Sequence, residues 1–211
     1  MQTNHELVVE PIGLDVDKIA RPMNFAELFG NNNPIELEIG MGKGTFITEQ
    51  AAARKDTNFF GIEYAKFYWR YCSDRLRRNG CDNARTARAE AGFFLHEFVP
   101  DGAIRVLHIY FPDPWPKARH NKRRLIQEKF MPTALRILEP AGRIQVVTDH
   151  SNYFEQIDRV IRSTKGLTVI DYNRPGSAGE GEFVGTNFER KYRREGRPFN
   201  AIAAVKNGEY S

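Results

Sequence analysis

The sequence predicts an α/β protein built on a mostly parallel, twisted sheet with helices on both faces. Strand-like and helix-like patterns alternate from residue 35 to about 172. The residues that end successive strands are also mostly acids. In order, "IELEIG" (35–40), "NFFGIEY" (58–64), "ARTARAE" (84–90), "IRVLHIYF" (104–111), "RIQVVTD" (143–149) and "LTVIDY" (167–172) read as strands, and "NAIAAVK" (200–206) closes the chain. Between them, Tyr64, Phe67, Tyr68, Tyr71, Cys72 and Leu76 recur at helical spacing, as do Tyr153, Phe154, Ile157, Val160 and Ile161. Both stripes are expected to face the core. A short helix is expected near "FAELFG", followed by the linker-like "GNNNP". Residues 1–33 otherwise carry little pattern and are expected to form a loose extension to a domain spanning 34–211. Residues 173–199, glycine-rich and then basic, are expected to form a long loop with no element of its own, either functional or disordered.

At 211 residues, 41% hydrophobic and 27% charged, the chain is long enough for one domain with a sizeable core. No apolar run approaches a membrane span, and "MQTNHELVVE" does not read as a signal peptide, so a cytoplasmic location is expected. Cys72 and Cys81 have no metal-ligand spacing and are read as reduced thiols, and the five scattered histidines give no metal motif. The net charge of +4 says less than its distribution. One basic cluster comprises Lys117, Arg119, Lys122, Arg123 and Arg124. A second comprises Arg190, Lys191, Arg193, Arg194 and Arg197. Either alone would pass for a solvated face. With Trp115, Phe188 and Tyr192 interleaved, the pair suits nucleic acid, because rings stack on bases while cations meet phosphates.

Ligands of such sheets lie beyond the carboxyl ends of the strands. The residues there are Gly40, Glu63, Glu90, Asp113 and Asp149. "EIGMGKG" (38–44) follows a strand and opens a helix, with Gly40, Gly42 and Gly44 allowing a tight turn and close approach to a ligand. A dinucleotide fingerprint would need glycine at 45, where Thr45 stands, which disfavours a nicotinamide cofactor. Glu63 sits where a ribose-binding acid belongs. Glu38 could meet a cationic amino group, and Glu90 could accept from an adenine amino group. Ribose, adenine and amino acid together describe S-adenosylmethionine.

The stretch "FPDPWPKARHNKRR" (111–124) fixes Asp113 between Pro112 and Pro114 and follows it with five cations, His120 and no further acid. That pairing suits a rigid reaction centre beside a grip for an anion.

E-x-G-x-G-x-G at 38–44, "GIE" at 61–63, "FPDPWPKARHNKRR" at 111–124, "TD" at 148–149 and "TNFE" at 186–189 resemble, in order, the bacterial tRNA (guanine-N7-)-methyltransferase family. The resemblance runs from about residue 35 to 200, and its proline–aspartate–proline–tryptophan turn is its most specific part. It implies a Rossmann-like class I methyltransferase fold, S-adenosylmethionine as cofactor, and methylation of N7 of the variable-loop guanine (position 46) of tRNA. Matching positions put cofactor contacts on Glu38, Glu63, Glu90 and Asp113, with Asp113 also the catalytic candidate. Substrate contacts fall on Lys117, Asp149, Thr186, Asn187, Phe188 and Glu189, and Arg119, His120, Asn121, Lys122, Arg123 and Arg124 match the RNA-contacting run. Glu90 stands where the family often has aspartate, and Asn187 where lysine is common.

N7 of guanine carries no proton, so its methylation calls for positioning and charge stabilisation rather than a general base. Asp149 and Glu189 are the candidates for accepting from the adjacent N1–H and N2–H of guanine, and Phe188 or Trp115 for packing on its face. Two other readings fit less of the pattern: a methyltransferase acting on another RNA base, an exocyclic amine or a protein, and a non-catalytic RNA-binding protein. Whether the protein is a monomer or a dimer is left open.

Overall fold

The structure, a computed structural model, describes residues 6–176 and 178–208. The first five residues of the amino-terminal stretch discussed above lie outside these, as does Ser177 of the glycine-rich segment. Eight strands among the described residues form one sheet: β1 (Gly13–Leu14), β2 (Ile35–Ile39), β3 (Asn58–Glu63), β4 (Ala84–Arg88), β5 (Ile104–Tyr110), β6 (Leu138–Thr148), β7 (Leu167–Ile170) and β8 (Asn200–Lys206). Their order is β1-β4-β3-β2-β5-β6-β8-β7. The pairs from β1 to β6 are parallel, while β8 runs antiparallel to both β6 and β7. The chain runs outward from β2 through β3 to β4, then crosses back to β5. That makes the carboxyl ends of β2 and β5 the switch point at which ligands of this architecture lie.

The helices are α1 (Phe25–Phe29), α2 (Thr45–Ala53), α3 (Lys66–Arg78), α4 (Ala91–Phe98), α5 (Met131–Ile137), α6 (Ser151–Ser163) and α7 (Asn187–Arg194). The two faces of the sheet differ. One is apolar: Leu37, Phe60, Ile62, Leu107, Ile109, Ile144 and Val146 pack against Phe94, Phe98, Ile137, Tyr153 and Ile157 of α4, α5 and α6. On the other, α2 and α3 pack Ile47, Ala51, Cys72 and Leu76 on Phe59 and Ala84. The alternating strand residues of that second face include Glu36, Glu38, His108, Tyr110 and Gln145, all buried.

Three expectations change. The aromatic stripe of α3 does not face the core: Tyr64, Phe67 and Tyr68 are exposed, at 74%, 63% and 41%. Of the same stripe, Cys72 and Leu76 are buried as expected, joined by Ser73 and with Trp69 packed beside them, while Tyr71 is half-buried. Residues 173–199 do contain an element, α7, whose N-cap Thr186 accepts from the Glu189 N–H at 3.1 Å. Ahead of residue 34, β1 extends the sheet edge beside β4, and Ile12, Met23 and Phe25 are buried in the cores.

Candidate active site

A cleft of about 1400 Å³ opens at the switch point, bordered by the ends of β2, β3, β4 and β5 and by the start of α7. Gly40, Gly42 and Gly44 all have left-handed backbones (φ 76°, 52° and 68°). The turn is held by Gly40 N–H donating to Ile62 O (2.8 Å) and Gly44 N–H to Met41 O (2.7 Å). A Cβ at Gly44 would lie 2.2 Å from Cys72 Sγ, so this glycine lets α2 approach α3. Gly40 and Gly42 face open space on the cleft side. Glu63 accepts from Gly42 N–H and Ala65 N–H, at 2.9 Å each, which ties the glycine turn to the end of β3. Each of its oxygens keeps a further lone pair.

Glu38 is 5% exposed, and its Oε2 has no hydrogen-bond partner among the described residues. Burial, reinforced by the nearby Glu63 charge and only partly offset by the Ile47 N–H, pushes its carboxyl up to about 8. A buried polar atom left in that state fits a site awaiting a cationic donor. Glu90 also borders the cleft, but as the N-cap of α4. Its two oxygens accept from Gly92 N–H (3.0 Å) and Phe93 N–H (2.7 Å).

Beyond β5 the chain makes the proline-flanked turn. Phe111 and Trp115, on either side of Pro112-Asp113-Pro114, both have left-handed backbones (φ 52° and 42°), a strained state for residues with a Cβ. Asp113 is exposed on the cleft, and its carboxylate has no hydrogen bond or ion pair among the described residues. Arg124 holds the turn. Its Nε donates to Pro114 O (2.8 Å), Nη1 to Gln156 (2.9 Å) and Nη2 to Asn152 (2.8 Å), with the guanidinium over the Tyr153 ring. At 3% exposure with these donors engaged, Arg124 is a brace between the turn and α6. The expectation that it grips RNA is therefore corrected.

The rest of the basic run stays outward. Residues 118–123 form a 3-10 turn, and Lys117 at its N-cap and Arg119, Lys122 and Arg123 within it are exposed. Lys122 and Arg123 border the cleft, and Arg123 lies over the Trp115 ring (4.9 Å). Lys117, Arg119, His120 and Asn121 do not line it. Thr186, Asn187 and Phe188 do, and Phe188 packs against Phe111 (4.7 Å) and Tyr192 (4.4 Å).

The two proposed base-reading acids are both engaged. Glu189 is fully buried, and its carboxylate accepts from the N–H groups of Phe183 (2.6 Å), Val184 (2.9 Å) and Gly185 (2.9 Å). It shapes the loop before α7 and cannot reach a guanine, so that expectation is corrected. Asp149 does not border the cleft and pairs with Arg197 at 2.8 Å. Tyr64 and Tyr68 border the cleft although their stripe was expected to be core. Among the described residues, no helix is long and apolar enough to cross a membrane.

Comparison with known proteins agrees with this geometry. Crystal structures of the aminoglycoside resistance methyltransferase NpmB1 and of a 30S ribosomal A1408 methyltransferase from an uncultured bacterium share the fold. Their TM-scores are 0.58 and 0.57, each at 16% identity, covering 86% of this chain and 91% and 92% of theirs. In sequence, the chain is 36% identical to the tRNA (guanine-N(7)-)-methyltransferase of Syntrophotalea carbinolica, over 78% of this chain and 71% of that one. It is 34% identical to the enzyme of that name from Streptococcus thermophilus, over 84% and 83%. A methyltransferase family model, Methyltransf_4, matches residues 32–202. With its glycine turn, Glu63, Glu90 and braced proline turn assembled on one cleft, the chain belongs to the tRNA (guanine-N(7)-)-methyltransferase family.

Proposed function

We propose that the protein transfers a methyl group from S-adenosylmethionine to N7 of the variable-loop guanine, position 46, of tRNA. The observation that carries this reading is the shared cleft. An unpartnered carboxylate, Asp113, stands on a strained turn in the same cavity as the orphaned Glu38 oxygen.

The residues present fit the cofactor. Glu38 would hold its cationic amino group, which supplies the missing donor and draws the carboxyl toward its charged form. Glu63 has lone pairs left for ribose hydroxyls, and Gly40 and Gly42 leave room along the backbone. S-Adenosylmethionine, when bound, supplies an electrophilic methyl group on a sulfonium centre.

The chain's own task is then to hold a guanine and balance charge. Guanine gains positive charge at N7, and a fixed carboxylate beside it stabilises that change without taking a proton. Asp113 fills this role because the two prolines and the Arg124 brace hold it in advance. Phe188, packed on Phe111, offers a ring for the displaced base. Asp149 is the remaining candidate to read the guanine edge, which requires that edge to extend past the cleft lining and the phosphate backbone to draw Arg197 away from the acid. Lys117, Arg119, Lys122 and Arg123 meet phosphates, setting affinity and salt dependence rather than base choice. Catalysis is assigned to residues 34–211 and, with tRNA as substrate, to the cytoplasm.

The test is to incubate the protein with labelled S-adenosylmethionine and unmodified tRNA, digest to nucleosides and identify the product by mass spectrometry. 7-Methylguanosine is expected, and a different methylated nucleoside would overturn the N7 assignment. Asp113→Ala is expected to bind S-adenosylhomocysteine and tRNA but to lose about 100-fold in turnover. Wild-type turnover in that variant would remove Asp113 from the chemistry.

A further inference from the structure

Helix α3 presents an exposed aromatic face that the reaction does not need. Phe67 is 63% exposed and lies edge-on to Tyr68 (5.5 Å) and near-parallel to Tyr71 (6.3 Å). The helix is already anchored by Trp69, Cys72 and Leu76, so these outward rings add nothing to its core. Phe67 and Tyr68 are exposed and Tyr71 is half-buried beside them, and a contiguous aromatic patch of this kind marks a contact surface.

The charge around them is one-sided. Residues 66–78 include five cations, Lys66, Arg70, Arg75, Arg77 and Arg78, against one acid, Asp74. The imbalance within this one helix equals the +4 of the whole chain. Asp74 is buried and binds Arg77 (2.9 Å) and Arg78 (2.8 Å), so it neutralises the far end of the helix and leaves Lys66 exposed beside the rings, with the half-buried Arg70 donating to Leu7 O (3.2 Å). Arg88, at the end of β4, is exposed nearby and donates to Tyr64 O (3.4 Å).

The patch is continuous with the cleft. Tyr64 and Tyr68 border the same cavity as Asp113 and Phe188, and they follow β3, which flanks β2 on the side away from β5. A polyanion seated on the basic run at β5 would thus find a second cationic and aromatic surface across the cofactor strand.

We propose that Phe67, Tyr68 and Tyr71, with Lys66 and Arg70, form a second tRNA-binding surface. It stacks an unpaired base away from the reacting guanine while the cations meet the flanking phosphates. This rests on the tRNA reading above. It assigns RNA contact to a region outside the two basic clusters evident in the sequence.

The test measures tRNA binding directly, by fluorescence anisotropy across a salt series, alongside methylation kinetics. Phe67→Ala with Tyr71→Ala is expected to weaken tRNA binding and raise KM for tRNA about tenfold, leaving kcat and S-adenosylhomocysteine affinity unchanged. The salt slope should hold, because no phosphate contact is lost, whereas Lys66→Ala should lower it. Phe67→Trp should retain wild-type binding. If the wild-type protein binds and methylates tRNA and the double variant does so equally well, the surface is not a tRNA contact. If the wild type binds tRNA without forming 7-methylguanosine, the reaction assignment fails, and weakened binding by the double variant still supports the surface. No tRNA binding by the wild type overturns both. A dimer in sedimentation velocity that Phe67→Ala converts to monomer identifies the face as a self-interface and overturns the proposal.

Discussion

Glu36 and Glu38 stand two residues apart on the same face of β2, each 5% exposed, yet the fold treats them in opposite ways. Glu36 receives both ends of the Arg54 guanidinium (2.7 and 2.6 Å) and His108 Nε2 (2.9 Å). Burial pushes its carboxyl up, but the bonds from His108 and Arg54 outweigh burial and hold it down at about 2. Glu38 has the same burial without such partners and is pushed up to about 8. One carboxylate is completed by the fold. The other keeps an oxygen with no partner among the described residues, and that difference, more than depth, is what marks it as the candidate to bind a donor from outside.

The largest effect that would break this comparison comes from Glu36→Ala. It leaves Arg54 and the buried His108 without their acceptor and should cost about 3 kcal/mol in urea unfolding. A loss below about 1 kcal/mol would mean that Glu36 is no more structural than its neighbour.

Glu38→Gln should act with the opposite sign on stability. From the usual carboxylate value of 4.5 up to about 8, the unfolded carboxyl has released its proton while the folded one keeps it. Wild-type stability therefore falls across that window and levels off above it. Glu36 works the other way, losing its contribution as pH falls from 4.5 toward about 2. Relative to wild type, Glu38→Gln should gain Tm as pH rises from 5 to 8 and gain nothing near pH 4. Its affinity for S-adenosylhomocysteine should drop at least about tenfold, the cost of losing one charged hydrogen bond. Unchanged affinity would detach Glu38 from the cofactor.

The smallest contrast carries the same lesson to two adjacent arginines. Arg124→Lys, which loses the three-way brace, should lower turnover about tenfold through misplacement of the turn, with the salt slope of tRNA binding intact. Arg123→Ala should spare turnover at saturating tRNA and lower that slope by about one. Equal slopes in the two variants would show that neither arginine meets phosphate.

These contrasts also mark what can be read from residues alone. The glycine turn, the acids at strand ends and the proline-locked Asp113 were legible because each depends on local spacing along one strand and its turn. Glu36 and Glu38 look alike in "IELEI", because their partners come from Arg54 at the end of α2 and His108 on β5. Glu189 misled for a related reason. Thr186-x-x-Glu189 is a helix-start signature, and its acid serves the backbone before α7 rather than a base. In α3 the helical period was correct and Cys72 and Leu76 do face the core, but the aromatic half of the stripe does not. Trp69 and Ser73 complete the inward face in its place, and contact with the sheet decides which residues turn inward. Pro112 and Pro114 announced rigidity, but the left-handed Phe111 and Trp115 depend on contacts with Phe188, Arg123 and the Arg124-braced turn.

The antiparallel placement of β8 has a consequence in time. Among the described residues β7 joins the sheet only through β8, although β7 precedes β8 in the chain by about 30 residues, and Phe188 belongs to the segment between them. On the ribosome, the strands carrying Gly40, Glu63 and Glu90 emerge and can pair with one another first. The wall that would close over an RNA base waits until β8 slots between β6 and β7. The strands that carry the glycine turn, Glu63 and Glu90 are therefore all made before β8 can fix the Phe188 wall in place.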